Sequence, residues 1–329
     1  MPPDRSSSSR KSIRMPFCRF NIVVASAVPS LLKPMFLVSN GQTRRPPLMN
    51  AMLIKSIFSK KKSKKCSVKR ICYYKLKNRM SVIQNTVNSI YKTLDNRSVI
   101  IMRHGQSVWN EKNLFTGWED ADLTEIGKLE ARKAGQLLKQ MKMRFDIAHC
   151  SLLRRAIKTL WIALEELDQE WIPVRKNWRL NERHYGQLTG MNKIEMEKKH
   201  GAPTVKKWRK SYDYKPDPIG ASNPNWNGLD QRYADLEKNL IPESESLRET
   251  LSRVKKYWDT EILRDLKMGR RIIISAHGNS IRALLMYLEK ISAKEIEEVN
   301  IPRATPIRLQ LDESFHVISR SFLTQKETN

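Results

Sequence analysis

Apolar positions beyond residue 98 follow two alternating patterns. Val99, Ile100, Ile101 and Met102 form an unbroken apolar run, which predicts a strand buried on both faces. Thr124 then opens a stretch where Ile126, Leu129, Ala134, Leu137, Leu138 and Met141 form one apolar face, predicting a helix with threonine at its N-cap. Residues 145–150 predict a second strand. Residues 152–168 predict a helix carrying Leu153, Ile157, Leu160, Ala163, Leu164 and Leu167. A third strand is expected over 173–176, and the Pro-, Asn-, Gly- and Asp-rich segment 211–230 predicts a long loop. Residues 247–268 are helical by spacing. Ile272 to Ser275 is the clearest strand, Asn279 to Glu289 the helix after it, and Ile307 to Leu311 alternates like a final strand. Strands alternating with helices predict an α/β layer sandwich. No internal repeat interrupts this order.

The first 97 residues follow no such pattern. The chain has 329 residues, 40 % hydrophobic and 29 % charged, which is ordinary for a globular protein. Its net charge of +27 is not, and +19 of it lies in residues 1–98, with 21 Lys and Arg against 2 Asp and Glu. Residues 20–38 are apolar but broken by Pro29, Lys33 and Pro34, so they make a poor membrane span. A Ser- and Arg-rich start followed by a short apolar stretch has the composition of a targeting leader. The basic cluster at 60–79 could also touch anionic lipid; nucleic acid binding is not expected. The preferred reading is a solvated extension over 1–97, a catalytic domain over 98–322 and a short tail over 323–329. The cysteines at 18, 66, 72 and 150 show no repeated spacing, which fits free thiols in a reducing compartment rather than a zinc site.

Two segments share one chemical arrangement. Strand 99–102 runs into Arg103-His104-Gly105, and strand 272–275 runs into Ala276-His277-Gly278-Asn279. Each places a histidine and then a glycine at the carboxyl end of a strand, the edge where open α/β sheets bind ligands. Neutral imidazole is a nucleophile that can accept a phosphoryl group. Such transfer needs cationic donors around the phosphoryl oxygens. Arg103 and Arg155 are candidates because a guanidinium fork can bind two oxygens, and a protonated His277 would be a third donor. Glu182 is the candidate general acid by residue type.

The segments RHGQSVWN (103–110), FTGWEDADLTEIG (115–127), SLLRRAIKTLW (151–161), LNERHYGQLTGMNK (180–193), VKKWRK (205–210), RYADL (232–236), SAHGNSIRALLMYL (275–288) and NIPRATP (300–306) together resemble the cofactor-dependent phosphoglycerate mutases of the histidine phosphatase superfamily. The resemblance implies a three-layer αβα sandwich with a mostly parallel central sheet. It implies that His104 is the phosphohistidine, Glu182 the proton donor and acceptor, and His277 the stabiliser of the transferring group, with Arg103 and Arg155 beside them. Ser107, Asn110, Thr116 and Gly117 would line the phosphate and substrate site. Arg183, His184, Tyr185, Lys193, Arg209, Lys210, Gly278 and Asn279 would hold the rest of a phosphoglycerate. The implied primer is 2,3-bisphosphoglycerate, with no metal, in a homodimer or homotetramer. Glycolysis and gluconeogenesis place such chemistry in the cytoplasm, while the basic leader admits import into an organelle.

Three features depart from the family pattern. Arg209-Lys210 stands where two arginines are usual, which keeps the charge and loses one fork. NIPRA stands for NIPTG, so Arg303 and Ala304 replace a small polar residue and a glycine. The tail after the last strand is short, which would admit water to a phosphohistidine and raise hydrolysis. Bisphosphoglycerate synthase or phosphatase activity in the same pocket is therefore the alternative. A non-catalytic scaffold is the remote one, disfavoured because it would not need His104, Glu182 and His277 together. Deleting residues 1–79 is expected to leave a folded, active catalytic domain. Circular dichroism and turnover of the truncated protein test this, and an insoluble or inactive product would refute it.

Overall fold

The computed structural model of the protein describes residues 97–324. The leader, its apolar stretch, the basic cluster at 60–79, Cys18, Cys66, Cys72 and the last five residues lie outside the described residues. The sheet contains β1 (Ser98–Arg103), β2 (Ile147–Cys150), β3 (Val174–Lys176), β4 (Ile272–Ala276), β5 (Ile307–Leu311) and β6 (Val317–Phe322). Their spatial order is β3-β2-β4-β1-β5-β6. The first four strands of that order run parallel, while β5 pairs antiparallel with β1 and with β6.

Strand residues alternate strictly between two apolar layers. Val99, Ile101, Ile147, Ile272 and Ile274 face one core, built with Val254, Tyr257, Trp258, Ile281 and Leu284. Ile100, Ala148, Cys150 and Ile273 face the other, built with Leu137, Leu138, Ala156, Leu160 and Leu164. Helices therefore cover both faces, giving the three-layer arrangement that unbroken apolar strands demand. Each fully buried Ile or Leu contributes about 1.5–3 kcal/mol. The Cys150 thiol is pushed up to about 12 by burial, which makes it an inert core group.

The expected helices are present: α2 (Glu125–Gln140), α3 (Arg154–Glu166), α6 (Leu247–Tyr257) with α7 (Leu263–Lys267), and α8 (Gly278–Glu289). A short α1 (Val108–Glu111) follows the β1 loop. The long helix expected over 247–268 is interrupted by a π-helical turn at Trp258–Ile262. The wider turn keeps Tyr257, Trp258, Ile262 and Leu266 on the buried face. Helices α4 (Lys193–His200) and α5 (Ala202–Lys210) and strand β6 are additions to the sequence reading. None of the described helices is long and apolar enough to cross a membrane.

The loop after β1 lies against the start of α2. Thr124 caps that helix by accepting from the Gly127 amide at 3.1 Å, and its own amide donates to the Gln106 carbonyl at 3.0 Å. The two backbones approach so closely that a Cβ on Gly127 would lie 2.0 Å from the Gln106 carbonyl oxygen. Gly127→Ala should therefore push the His104 loop aside. It should cost about 1–3 kcal/mol and lower Tm by roughly 2–4 °C for each of them, with turnover falling in parallel. An unchanged melting curve in differential scanning calorimetry would contradict this close contact.

Candidate active site

Four chain segments meet at the carboxyl edge of β1, β2 and β4. Arg103 and His104 follow β1, Ser151 follows β2, and His277 follows β4 and precedes α8. Glu182 comes from the loop after β3. The rings of His104 and His277 lie 5.0 Å apart between centroids. Both are buried.

The protonation pattern of His104 is set by its neighbours. Its Nδ1 is 2.6 Å from the Gly105 carbonyl oxygen, which can only accept, so Nδ1 carries the proton. Nε2 is left with its lone pair and accepts from Arg155 Nε at 3.3 Å. Burial first, then the charges of Arg155 and Arg103, push His104 well below its ordinary value, so the ring is neutral. The Arg155 guanidinium is held by the carbonyls of Glu119 and Gly117 at 2.7 and 2.8 Å. Burial lowers it to about 10, which leaves it charged at neutral pH.

His277 would be a third cationic donor only if protonated, and its surroundings disfavour the charged form. Burial and Arg155 push it well below its ordinary value as well. Its Nε2 is 2.7 Å from Ser151 Oγ, and its Nδ1 is buried without a partner. Glu182 uses Oε1 to accept from the amides of Arg183 and Asn279 at 2.9 and 3.0 Å. Those two donors make Oε1 an acceptor, so a proton on this carboxyl belongs on Oε2. Gly278 lies at the same place: a Cβ on it would stand 3.6 Å from both Glu182 Oε2 and Arg103 Nε, an ordinary contact distance.

The surrounding residues fall into three groups. Ser107 and Asn110 form a reciprocal cap that opens α1, each side chain bonding the other's amide at 3.2 Å. Gly117 takes a left-handed φ of 54°, which aims its carbonyl at Arg155. Thr116 is buried next to it. Tyr185 OH accepts from Asn279 Nδ2 at 3.0 Å, and Arg183 lies 4.6 Å over the Tyr185 ring. Arg103 Nε and Arg183 Nε and Nη1 are buried donors without a partner. Lys193 donates to the Leu114 carbonyl, and burial with Arg209 lowers it to about 8.

Two residues of the expected set are occupied elsewhere. Lys210 Nζ donates to Asn300 Oδ1 at 2.6 Å, so its ammonium ties α5 to the 299–300 loop. His184 Nδ1 accepts from the Gly186 amide at 3.0 Å and secures its own turn. Arg209 is exposed, with Glu197 3.9 Å away.

The sequence reading missed the frame behind Glu182. Arg253 forms a buried fork with Glu245, at 2.6 and 2.8 Å, and donates to the carbonyls of Arg179, Asn181 and Glu182. Trp118 Nε1 donates to the Glu182 carbonyl at 2.7 Å. Ser151 and Thr159 were missed too, although both lie in the SLLRRAIKT segment. Thr159 Oγ1 accepts from the Gly105 amide at 3.0 Å.

The family model of the histidine phosphatase superfamily (branch 1) matches residues 99–234 and 224–323. The chain belongs to this superfamily. Solved structures with the same fold include a mycobacterial glucosyl-3-phosphoglycerate phosphatase, at 22 % identity and TM-score 0.53, covering 69 % of this chain and 98 % of that one. The alpha-ribazole phosphatase of Shigella flexneri matches at 18 % and 0.51, over 69 % and 96 %. A phosphoglycerate mutase of Bacillus anthracis matches at 21 % and 0.46, over 65 % and 88 %. At these identities the first two likenesses show the fold alone. As a superfamily member, the protein is a phosphoryl-transfer or hydrolysis enzyme.

Neutral buried histidines give this superfamily member an acid-labile fold. His149 and His184 are lowered to about 4 by burial, and His104 and His277 also lie well below 6.5. Above pH 6.5 neither folded nor unfolded chain protonates them. As pH falls below about 6.5 the unfolded chain takes up protons that the folded state refuses, so stability drops. Each histidine should cost about 1.4 kcal/mol per pH unit until its folded value is reached. Urea midpoints at pH 7.5 and 5.5 measure this, and equal midpoints would contradict it.

Proposed function

We propose that the protein interconverts 3-phosphoglycerate and 2-phosphoglycerate, in glycolysis and gluconeogenesis, through a phosphohistidine on His104 Nε2. The observation that carries this reading is the neutral imidazole with its lone pair facing the buried Arg155 guanidinium, beside Glu182 and His277. Phosphoryl transfer asks for a nucleophile with a free lone pair and for fixed cationic donors where phosphoryl charge lies.

His104 Nε2 attacks phosphorus as the bond to the substrate oxygen breaks. Glu182 Oε2 gives that oxygen its proton and recovers one from the accepting hydroxyl on the way back. Arg155 and Arg103 hold the phosphoryl oxygens. With Ser151 donating to its Nε2, neutral His277 presents Nδ1–H to the same group. The buried donors of Arg103, Arg183 and His277 fit the charge of 2,3-bisphosphoglycerate. That compound, when bound, supplies the phosphoryl group that primes His104.

Hydrolysis is the second reading, in which water replaces the second hydroxyl as acceptor. The phosphatase names of the two neighbours with TM-scores of 0.53 and 0.51 support it. Incubating the protein with 3-phosphoglycerate, with and without 2,3-bisphosphoglycerate, separates the two. We expect 2-phosphoglycerate only with the primer. Free phosphate as the main product would replace mutase by phosphatase. His104→Ala, folded by circular dichroism, should lose at least about a thousandfold in either activity; full activity in that variant would remove the phosphohistidine.

A further inference from the structure

We infer that Arg303 is an additional anion-recognising residue, which selects substrates carrying a second anionic group besides the phosphoryl group held at His104. This rests on the phosphoglycerate reading above and deepens it.

Arg303 belongs to the loop before β5, an element separate from the α4 and α5 helices that carry Lys193, Arg209 and Lys210. The loop is fixed to the nucleophile segment, because the Ala304 amide donates to the Arg103 carbonyl at 2.9 Å. Arg303 is therefore held one residue away from a backbone bond to the neighbour of His104. Its charge is felt there, adding to the downward push on both Arg103 and His104.

The side chain is free to change partner. Arg303 Nε and Nη2 both donate to one oxygen, Glu130 Oε1, at 3.2 and 3.1 Å. The pair is partly exposed, at 38 % for Arg303 and 24 % for Glu130, and exposed pairs of this kind hold weakly. Glu130 is not stranded if Arg303 leaves. Its other oxygen accepts from the Gln106 amide at 2.8 Å, and that bond keeps the loop in place. A guanidinium on a weak tether beside a phosphoryl site is suited to a carboxylate or second phosphate, which offers two oxygens to its fork.

The test is calorimetric titration of the whole protein with 3-phosphoglycerate and, separately, with inorganic phosphate, which lacks the second anionic group. Arg303→Ala should weaken 3-phosphoglycerate about tenfold more than it weakens inorganic phosphate. Arg303→Lys should recover part of that loss. Thermal melts verify folding of both variants. Equal weakening of the two ligands would mean that Arg303 only positions the His104 loop, and unchanged binding of both would mean it does nothing; either outcome overturns the inference. Wild-type protein that binds phosphate and not 3-phosphoglycerate would overturn it too. Binding does not require turnover, so failure of the mutase assay with intact Arg303-dependent affinity would sink the catalytic reading alone.

Discussion

A buried guanidinium without a carboxylate partner governs this structure. Arg155 is 1 % exposed, and no carboxylate lies within ion-pair distance of it among the described residues. Burying a charge without an opposite charge is costly. Two carbonyls and one imidazole nitrogen satisfy its donors without neutralising it. The positive field therefore remains available to an anion. Burial first, and that field second, keep His104 and His277 neutral, so Arg155 contributes both to the attraction for phosphate and to the nucleophilicity of the ring that attacks it.

Holding such a charge requires a rigid frame, and the frame is mostly backbone. Gly117 turns left-handed to aim one carbonyl at Arg155. Thr159, one helical turn beyond Arg155 on α3, donates to the Arg155 carbonyl at 2.7 Å and accepts from the Gly105 amide. The helix that carries the guanidinium thus also holds the loop that carries the imidazole. On the other side, Arg253 is paired with Glu245, in contrast to Arg155, and its charge is absorbed. Its task is to collect three carbonyls leading to Glu182. Two buried arginines of the same chemistry differ in function because one has a carboxylate beside it and the other does not.

Much of this was legible in the chain. Unbroken apolar runs at 99–102 and 272–274 marked the central strands, and the histidine and glycine after each marked the site. What escaped has physical reasons. α4 buries no side chain and α5 buries only Val205, so neither leaves a clear apolar period. β6 is an edge strand with exposed Ile318 and Arg320, so it lacks an apolar face. Ser151 and Thr159 reach the site through hydrogen bonds spanning 126 and 54 residues, which no local spacing encodes. The charge state of His277, left open by its residue type, depends on burial first and then on Arg155, neither of them visible in the sequence. Lys210 and His184 were expected at the substrate from the family resemblance; here Lys210 donates to Asn300 and His184 accepts from the Gly186 amide.

Two departures of this chain from the family pattern, Lys210 and the Arg303-Ala304 pair, fall within the described residues. Lys210 anchors α5 to the 299–300 loop, and Arg303 hangs from Glu130. Ala304 takes a left-handed φ of 44° where a glycine would be unstrained. Left-handed geometry costs a non-glycine residue about 1–2 kcal/mol. The Ala304 methyl is buried against Met102, Ala134 and Ala163, and burial of one methyl returns about 0.8 kcal/mol. The exchange is nearly even, so alanine is tolerated there and the Ala304–Arg103 backbone bond survives. Arg303 thus sits on a loop that is bonded to the Arg103 carbonyl, with its own side chain on Glu130. The geometry around His104 stays fixed by Arg155 and Thr159, neither of which these departures touch.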